Sequence, residues 1–238
     1  MDWLVPLYVH PSTDPGAWQP GAWRAVAGAG GVTVVVNVSD GPGRGPDPAY
    51  RAATEVLARA GVPMLGYVDL GYAGRPLSDL LDDVAHWADY PVRGVFLDQA
   101  PASPFSVGPA ALAVRAARRL GLPEVVLNPG TVPDRLYRDF GAKLCVFEGG
   151  WADYQAWSGA GGQPGDGHLV YAVPPADLPY ARRLLADRGA GFGLATDLAP
   201  PAPYGGLPSA LPMAAGQSGS APPPWAEQKA TGTWTGAR

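Results

Sequence analysis

Two carboxylates draw attention through their positions. The stretch Arg93-Gly94-Val95-Phe96-Leu97-Asp98-Gln99-Ala100-Pro101 is an apolar run that breaks off in Asp98-Gln99, and Lys143-Leu144-Cys145-Val146-Phe147 breaks off the same way in Glu148. Asp at a strand end is explained by its liking for turns. Glu is not a favoured turn residue, and Glu148 follows Phe147 directly. Two acids facing each other across a sugar are what glycoside hydrolysis uses, one as acid/base and one as nucleophile or base. The acid must keep its proton near neutral pH, which burial or the other charge can achieve. Glu148 has the more apolar company, so the assignment is Asp98 as nucleophile and Glu148 as acid/base.

Other chemistries fit less well. Metal ligation wants clustered His and Cys. The three histidines, His10, His86 and His168, are scattered, and only His10 falls where it could reach a site shared with Asp98. No metal or other cofactor is expected. A G-x-S-x-G nucleophile elbow is absent. The Gly-rich stretch Asp40 to Pro48 carries three prolines, which remove the amide donors a phosphate would need. The single cysteine, Cys145, sits inside an apolar run and reads as core. A net charge of -4 without a basic block offers no nucleic-acid footprint. No apolar run has the length of a membrane span. The chain is expected to act as a monomer on a polysaccharide.

The elements that must position these residues are short apolar runs alternating with helical segments. The runs are Trp3 to Val9, Val32 to Asn37, Pro63 to Asp69, Gly94 to Asp98, Glu124 to Asn128, Lys143 to Glu148, His168 to Val173 and Gly191 to Asp197. The helical segments have apolar residues at helical spacing and most end in glycine. The faces read from that spacing are Ala52, Val56 and Leu57; Leu77, Leu80, Leu81 and Val84; and Leu112, Ala116 and Leu120. A further helical stretch is read at Asp177 to Gly189 and a shorter one at Pro133 to Gly141. Eight such units predict an α/β fold, a (β/α)8 TIM-type barrel, over residues 1–215. An open doubly wound sheet is the competitor, but the first strand is not followed by G-x-G-x-x-G. From Gly216 the chain is rich in Gly, Ser, Pro and Thr and has no hydrophobic period, so 216–238 reads as a disordered tail.

In a barrel the C-terminal ends of the strands meet at one mouth, where barrel enzymes place their chemistry. Here those ends carry Tyr8 and His10, Asn37, Tyr67 and Asp69, Asp98, Asn128, Glu148, Tyr171, and Thr196-Asp197. Asp98 and Glu148 end two even-numbered strands, so their side chains can share a layer. Aromatic rings stack on the apolar faces of sugars. Tyr8, Tyr67, Tyr72, Trp151, Tyr154 and Trp157 lie at or just beyond the mouth-side ends, and about half of them are expected to be core instead.

These residues also carry a resemblance. "VPLYVHPS", "VVVNVSDGPG", "LGYVDLGYAGR", "GVFLDQAP", "LNPG", "VFEGGW" and "ATDLAPPAPYGGLPS" follow one another in the order of motifs in the spherulin-4 (spherulation-specific) family, from Val5 to about Pro208. The resemblance implies a (β/α)8 barrel and a glycoside hydrolase. Its substrate would be α-1,4-linked galactosamine or N-acetylgalactosamine exopolysaccharide, met outside the cell or at its surface. The chain as given begins without a basic, cleavable leader. The family's strand-four Asp and strand-six Glu fall on Asp98 and Glu148, and Asn37, Tyr67, Tyr72 and Asn128 match positions near its cleft. Two positions depart from the family: Gln99 stands where a Glu is common, and Asp69 where Thr is common. If Asp98 points inward, strand alternation turns Gln99 away or sideways. A third carboxylate lost at Gln99 motivates a second reading, a barrel that holds polysaccharide without cutting it. A third reading is a barrel enzyme acting on another glycan or a small metabolite.

Overall fold

The computed structural model describes residues 1–11, 21–209 and 211. Eight parallel strands form a closed barrel in chain order: β1 (Asp2–Leu7), β2 (Val32–Val36), β3 (Met64–Asp69), β4 (Gly94–Asp98), β5 (Glu124–Leu127), β6 (Lys143–Gly150), β7 (Gly167–Tyr171) and β8 (Phe192–Ala195). The ring closes where β8 pairs with β1 through Asp2↔Phe192 and Trp3↔Gly193. The helices among the described residues are α1 (Ala22–Ala27), α2 (Pro48–Arg59), α3 (Leu77–His86), α4 (Val107–Arg119), α5 (Trp151–Ala156) and α6 (Leu178–Asp187). The chain is therefore a (β/α)8 TIM-type barrel, and all eight apolar runs are strands at or near their expected bounds.

Continuous β-branched runs such as Val32-Thr33-Val34-Val35-Val36 suit strands covered on both faces, inside by barrel packing and outside by helices. Val34, Val35 and Val36 are fully buried. α2 starts sharply because Asp47 accepts hydrogen bonds from the Ala49 and Tyr50 amides and Pro48 supplies a preset φ.

Several helix faces differ from the sequence expectation. α4 buries Ala110, Ala113, Val114 and Ala117, while Leu112 and Leu120 are exposed. Small side chains let the helix lie close to the strands, and that gain outweighs burying two leucines. α2 buries Tyr50, Thr54 and Leu57 and leaves Val56 out, and Leu77 of α3 is likewise exposed. Residues Arg135–Phe140 form a 3-10 helix rather than an α-helix. The proposed tail from Gly216 lies outside the described residues. Among the described residues no helix is long and apolar enough to cross a membrane, and no three His, Cys, Asp or Glu side chains gather as a metal site.

Candidate active site

Asp98 is the last residue of β4, in register with Asp69 of β3. Beyond Leu127↔Leu144, β5 and β6 stop pairing, and residues 128–130 fill the opening. There the Glu148 amide donates to the Gly130 carbonyl at 3.1 Å. A β-bulge between Cys145 and Phe147 offsets β6 against β7. Phe147 packs outside the barrel against Tyr154 and Trp157, so the next side chain, Glu148, turns to the mouth.

The buried amide of Asn128 joins the two acids. Its Nδ2 donates to Asp98 Oδ1 at 2.6 Å and to Glu148 Oε2 at 2.5 Å. Its Oδ1 accepts from the Gly130 amide at 3.1 Å, which fixes which end of the side chain faces the acids. One NH2 group thus gives one proton to each carboxylate. Because both bonds start at the same nitrogen, the two carboxylate oxygens are at most 5.1 Å apart, the two bond lengths laid end to end. The second oxygen of each acid has its own donor: Tyr67 Oη to Asp98 Oδ2 at 3.0 Å, and Tyr204 Oη to Glu148 Oε1 at 2.7 Å. Four of four carboxylate oxygens are held.

Burial, and then the charge of Glu148, push the Asp98 carboxyl up to about 6; donors from Asn128, the Gln99 amide and Tyr67 oppose the rise. Burial and the Asp98 charge raise Tyr67 far above the ordinary phenol value, so it stays a protonated donor. Tyr204 is raised by burial and by Glu148 with the same result.

Asp98, Asn128 and Glu148 form the floor of a cleft of about 390 Å³. Its walls include Tyr72, Gln99 and Tyr171, with Pro129 and Gly130 beside Asn128. Gln99 therefore faces the cleft, contrary to the alternation argument. The strand has ended, and Gln99 takes a left-handed φ of 47°, where alternation no longer applies. Tyr72 is 64% exposed, also has a left-handed φ, and donates its amide to the Gln99 carbonyl at 2.8 Å. Tyr8 sits deeper, edge-on to both Tyr67 and Tyr204 at 5.6 Å.

Other expected contacts lie elsewhere. Asn37 Oδ1 accepts from the Gly41 amide at 2.9 Å and shapes its own turn. Asp69 Oδ1 accepts from the Gly71 amide at 2.7 Å; it holds the loop carrying Tyr72 and does not line the cleft. Asp197 Oδ1 accepts from the Ser209 amide at 2.9 Å and ties down the last loop. For Asn37 and Asp69 the turn explanation is sufficient. Trp151, with Tyr154, belongs to a buried cluster that Trp157 packs against, outside the barrel wall. His10 is exposed in a neighbouring trough against Tyr50, 5.2 Å between ring centroids. Tyr204 was not anticipated. Its signal was a tyrosine inside the Pro/Gly-rich "APPAPYGG" after the last strand.

A parallel eightfold barrel with two held carboxylates at its mouth places the chain in the class of (β/α)8 TIM-type barrels. The particular family follows from comparison. The model of spherulation-specific family 4 matches residues 2–211, and the chain belongs to that family. Spherulin-4 of Physarum polycephalum is 37% identical over 153 residues, 61% of this chain; the match spans 44% of that relative's length. The crystal structure of Aspergillus clavatus Sph3 in complex with GalNAc superimposes with a TM-score of 0.75 at 27% identity, covering 87% of this chain and 93% of that one.

Proposed function

We propose that this protein is a retaining glycoside hydrolase that cuts internal α-1,4 linkages in a polymer of galactosamine or N-acetylgalactosamine. The observation that carries the reading is the Asp98–Asn128–Glu148 bridge. It keeps two carboxylate oxygens within 5.1 Å. A shared donor favours direct attack by one carboxyl on the sugar, the short-separation arrangement of retaining enzymes, over the wider gap of about 6.5–9.5 Å that inverting enzymes leave for a water. The substrate class rests on the family and on the GalNAc held by the Sph3 barrel.

Asp98 attacks the anomeric carbon while Glu148 gives its proton to the departing glycosidic oxygen. The C–O bond breaks and a glycosyl ester forms on Asp98. Glu148, now ionised, takes a proton from water, and the resulting hydroxide displaces Asp98. The Asn128 amide holds both acids through the cycle. The Asn128 and Tyr67 donors favour the ionised Asp98 that attack requires, but burial and the Glu148 charge outweigh them and push its carboxyl up to about 6, so attack needs a pH above that value.

The test is hydrolysis of a galactosamine-containing exopolysaccharide by wild type, Asp98→Asn and Glu148→Gln. Each substitution is expected to cost on the order of 10²–10⁴-fold in turnover with the fold intact. Near-normal turnover in either variant would remove that residue from the mechanism. Gln99 in the cleft wall, where relatives by resemblance carry Glu, supports a second reading as a polysaccharide-binding barrel. Tight polymer binding with no new reducing ends would favour it.

A further inference from the structure

We propose that Arg75 is a positioning residue: it clamps the left-handed turn Gly71-Tyr72-Ala73, and that turn holds the Tyr72 ring at the cleft as the surface on which a sugar stacks. The inference rests on the polysaccharide reading above and adds what fixes the face of the sugar.

Tyr72 stands apart from the other tyrosines near the two acids. Tyr67 and Tyr204 are buried and each holds a carboxylate, and Tyr8 lies edge-on between them. Tyr72 is 64% exposed in the cleft wall. Among the described residues its ring packs on no other ring and its hydroxyl makes no hydrogen bond. Burial, then the charges of Asp98 and Glu148, raise that hydroxyl above the ordinary phenol value, so it stays a donor within the field of both acids. An uncommitted ring with a polar tip, set in a cleft where polar groups converge, suits the apolar face and hydroxyls of a sugar.

The backbone that displays this ring is unfavourable by itself. Gly71, Tyr72 and Ala73 have φ of 52°, 53° and 69°, three left-handed residues in succession. Left-handed backbone brings Cβ too near the following carbonyl oxygen, so residues with side chains adopt it singly rather than in runs. Such a turn persists where its surroundings over-determine it.

Arg75 lies against the turn and supplies that constraint. Its Nη1 donates to the Asp69 carbonyl at 2.6 Å and its Nη2 to Asp83 Oδ2 at 2.8 Å, so one guanidinium joins the end of β3 to α3. The pair is largely buried. The Arg75 stem occupies the place of a side chain on Gly71, where a Cβ would lie 2.9 Å from Arg75 Cγ. Asp69 Oδ1 takes the Gly71 amide at 2.7 Å, and the Tyr72 amide reaches the Gln99 carbonyl at 2.8 Å. A planar guanidinium donates in two fixed directions at once, which a lysine ammonium does not reproduce. An ion pair and a forced backbone thus converge on a loop that leaves one aromatic ring exposed beside two acids.

The experiment measures the dissociation constant of galactosamine oligomers in the Glu148→Gln background, which prevents cleavage on the proposed mechanism, and kcat and KM with Glu148 present. Tyr72→Ala is expected to weaken binding about tenfold and to raise KM similarly, with kcat little changed. Arg75→Met keeps the stem beside Gly71 and loses the donors; it should weaken binding nearly as much, and Arg75→Lys should recover part of the loss. The double variant Tyr72→Ala/Arg75→Met should bind no worse than Tyr72→Ala, because the clamp acts through the ring. Amide exchange reads the clamp without ligand: the Tyr72 amide should lose protection in Arg75→Met. Circular dichroism and thermal unfolding confirm the fold of each variant, and Asp83→Asn, which removes the anchoring charge, carries the same expectations if Arg75→Met does not fold. Parent affinity in Tyr72→Ala or in Arg75→Met overturns the inference, as do losses that multiply in the double variant or an unchanged Tyr72 amide. A product assay on the wild type separates the two readings. No product, with oligomer binding weakened in both variants, keeps the platform and removes the hydrolase; product with KM indifferent to both variants does the reverse.

Discussion

The two ends of this barrel are built from the same strands by different rules. At the floor, backbones touch. A Cβ on Gly94 would lie 1.7 Å from the Glu124 carbonyl oxygen, and one on Gly193 would lie 2.1 Å from the His168 carbonyl oxygen. A cavity of about 360 Å³ lies at that end too; Asp2, Trp3, Glu124, Lys143 and Phe192 are among its lining, and among the described residues no hydrogen bond is made to either of its carboxylates. At the mouth, strands end in polar groups and the backbone is forced. Asp40, Tyr72, Ala73, Gln99 and Ala172 are the non-glycine residues with left-handed φ among the described residues, and all five follow the C-terminal end of a strand. Such residues cost of order 1–3 kcal/mol each and persist where the surroundings over-determine them. Close backbone packing marks one end and left-handed backbone the other, and the candidate chemistry sits with the latter.

This contrast is open to direct attack. The largest effect is expected at the floor. Gly94→Ala should destabilise by about 3 kcal/mol or more, because the added methyl meets backbone rather than a side chain that can move. Denaturant unfolding measures it, and activity per folded molecule should survive. A mild effect would mean that the floor is not tightly closed.

Next comes a gain of stability at the mouth. Asp98 holds its proton more tightly folded than unfolded, since its carboxyl rises from 3.8 to about 6. Its contribution is therefore fully present below the unfolded value and is lost as pH rises through 6. Asp98→Asn should then stabilise the fold at pH 7 by up to about 3 kcal/mol while removing turnover. Equal stability of the two proteins across pH 4 to 7 would contradict the strained-mouth account.

Tyr204→Phe removes one donor from Glu148. Once Glu148 has given up its proton, a hydrogen bond to the charged group is worth about 1.5–3 kcal/mol, so kcat should fall roughly 10- to 100-fold with KM little changed. A rise in KM alone would instead place Tyr204 in sugar binding. The smallest effect is electrostatic. Because the Glu148 charge raises Asp98, Glu148→Gln should lower the Asp98 carboxyl below about 6. Carbon-detected titration of that carboxyl reads the shift, and an unmoved value would show the two acids to be uncoupled.

Much of this arrangement is legible in the chain because it depends on local contrast. An apolar run that stops at a charge marks both a strand and its mouth end, which is why Asp98 and Glu148 could be paired from sequence. Helix faces were less readable. Spacing gives the period but not whether alanine or leucine meets the sheet, and in α4 the small face won. The direction of Gln99 could not follow from alternation once its φ became positive. Tyr204 contacts a residue 56 positions earlier from a loop without a period, so only its motif hinted at a role. Trp151 shares the VFEGGW motif with Glu148, yet it lies in the packing outside the barrel wall. Membership of a motif did not distinguish the residue that meets the ligand from the one that supports it.

The central claim is that Asp98 and Glu148 act as a close pair. The anomeric configuration of the first product released by the wild type tests it most directly. Proton NMR of fresh digests of an α-linked galactosamine polymer should show the α-anomer appearing first, with the β-anomer growing only by mutarotation. Initial release of the β-anomer would mean a water attacks between acids set farther apart than the Asn128 bridge allows, and would contradict the account.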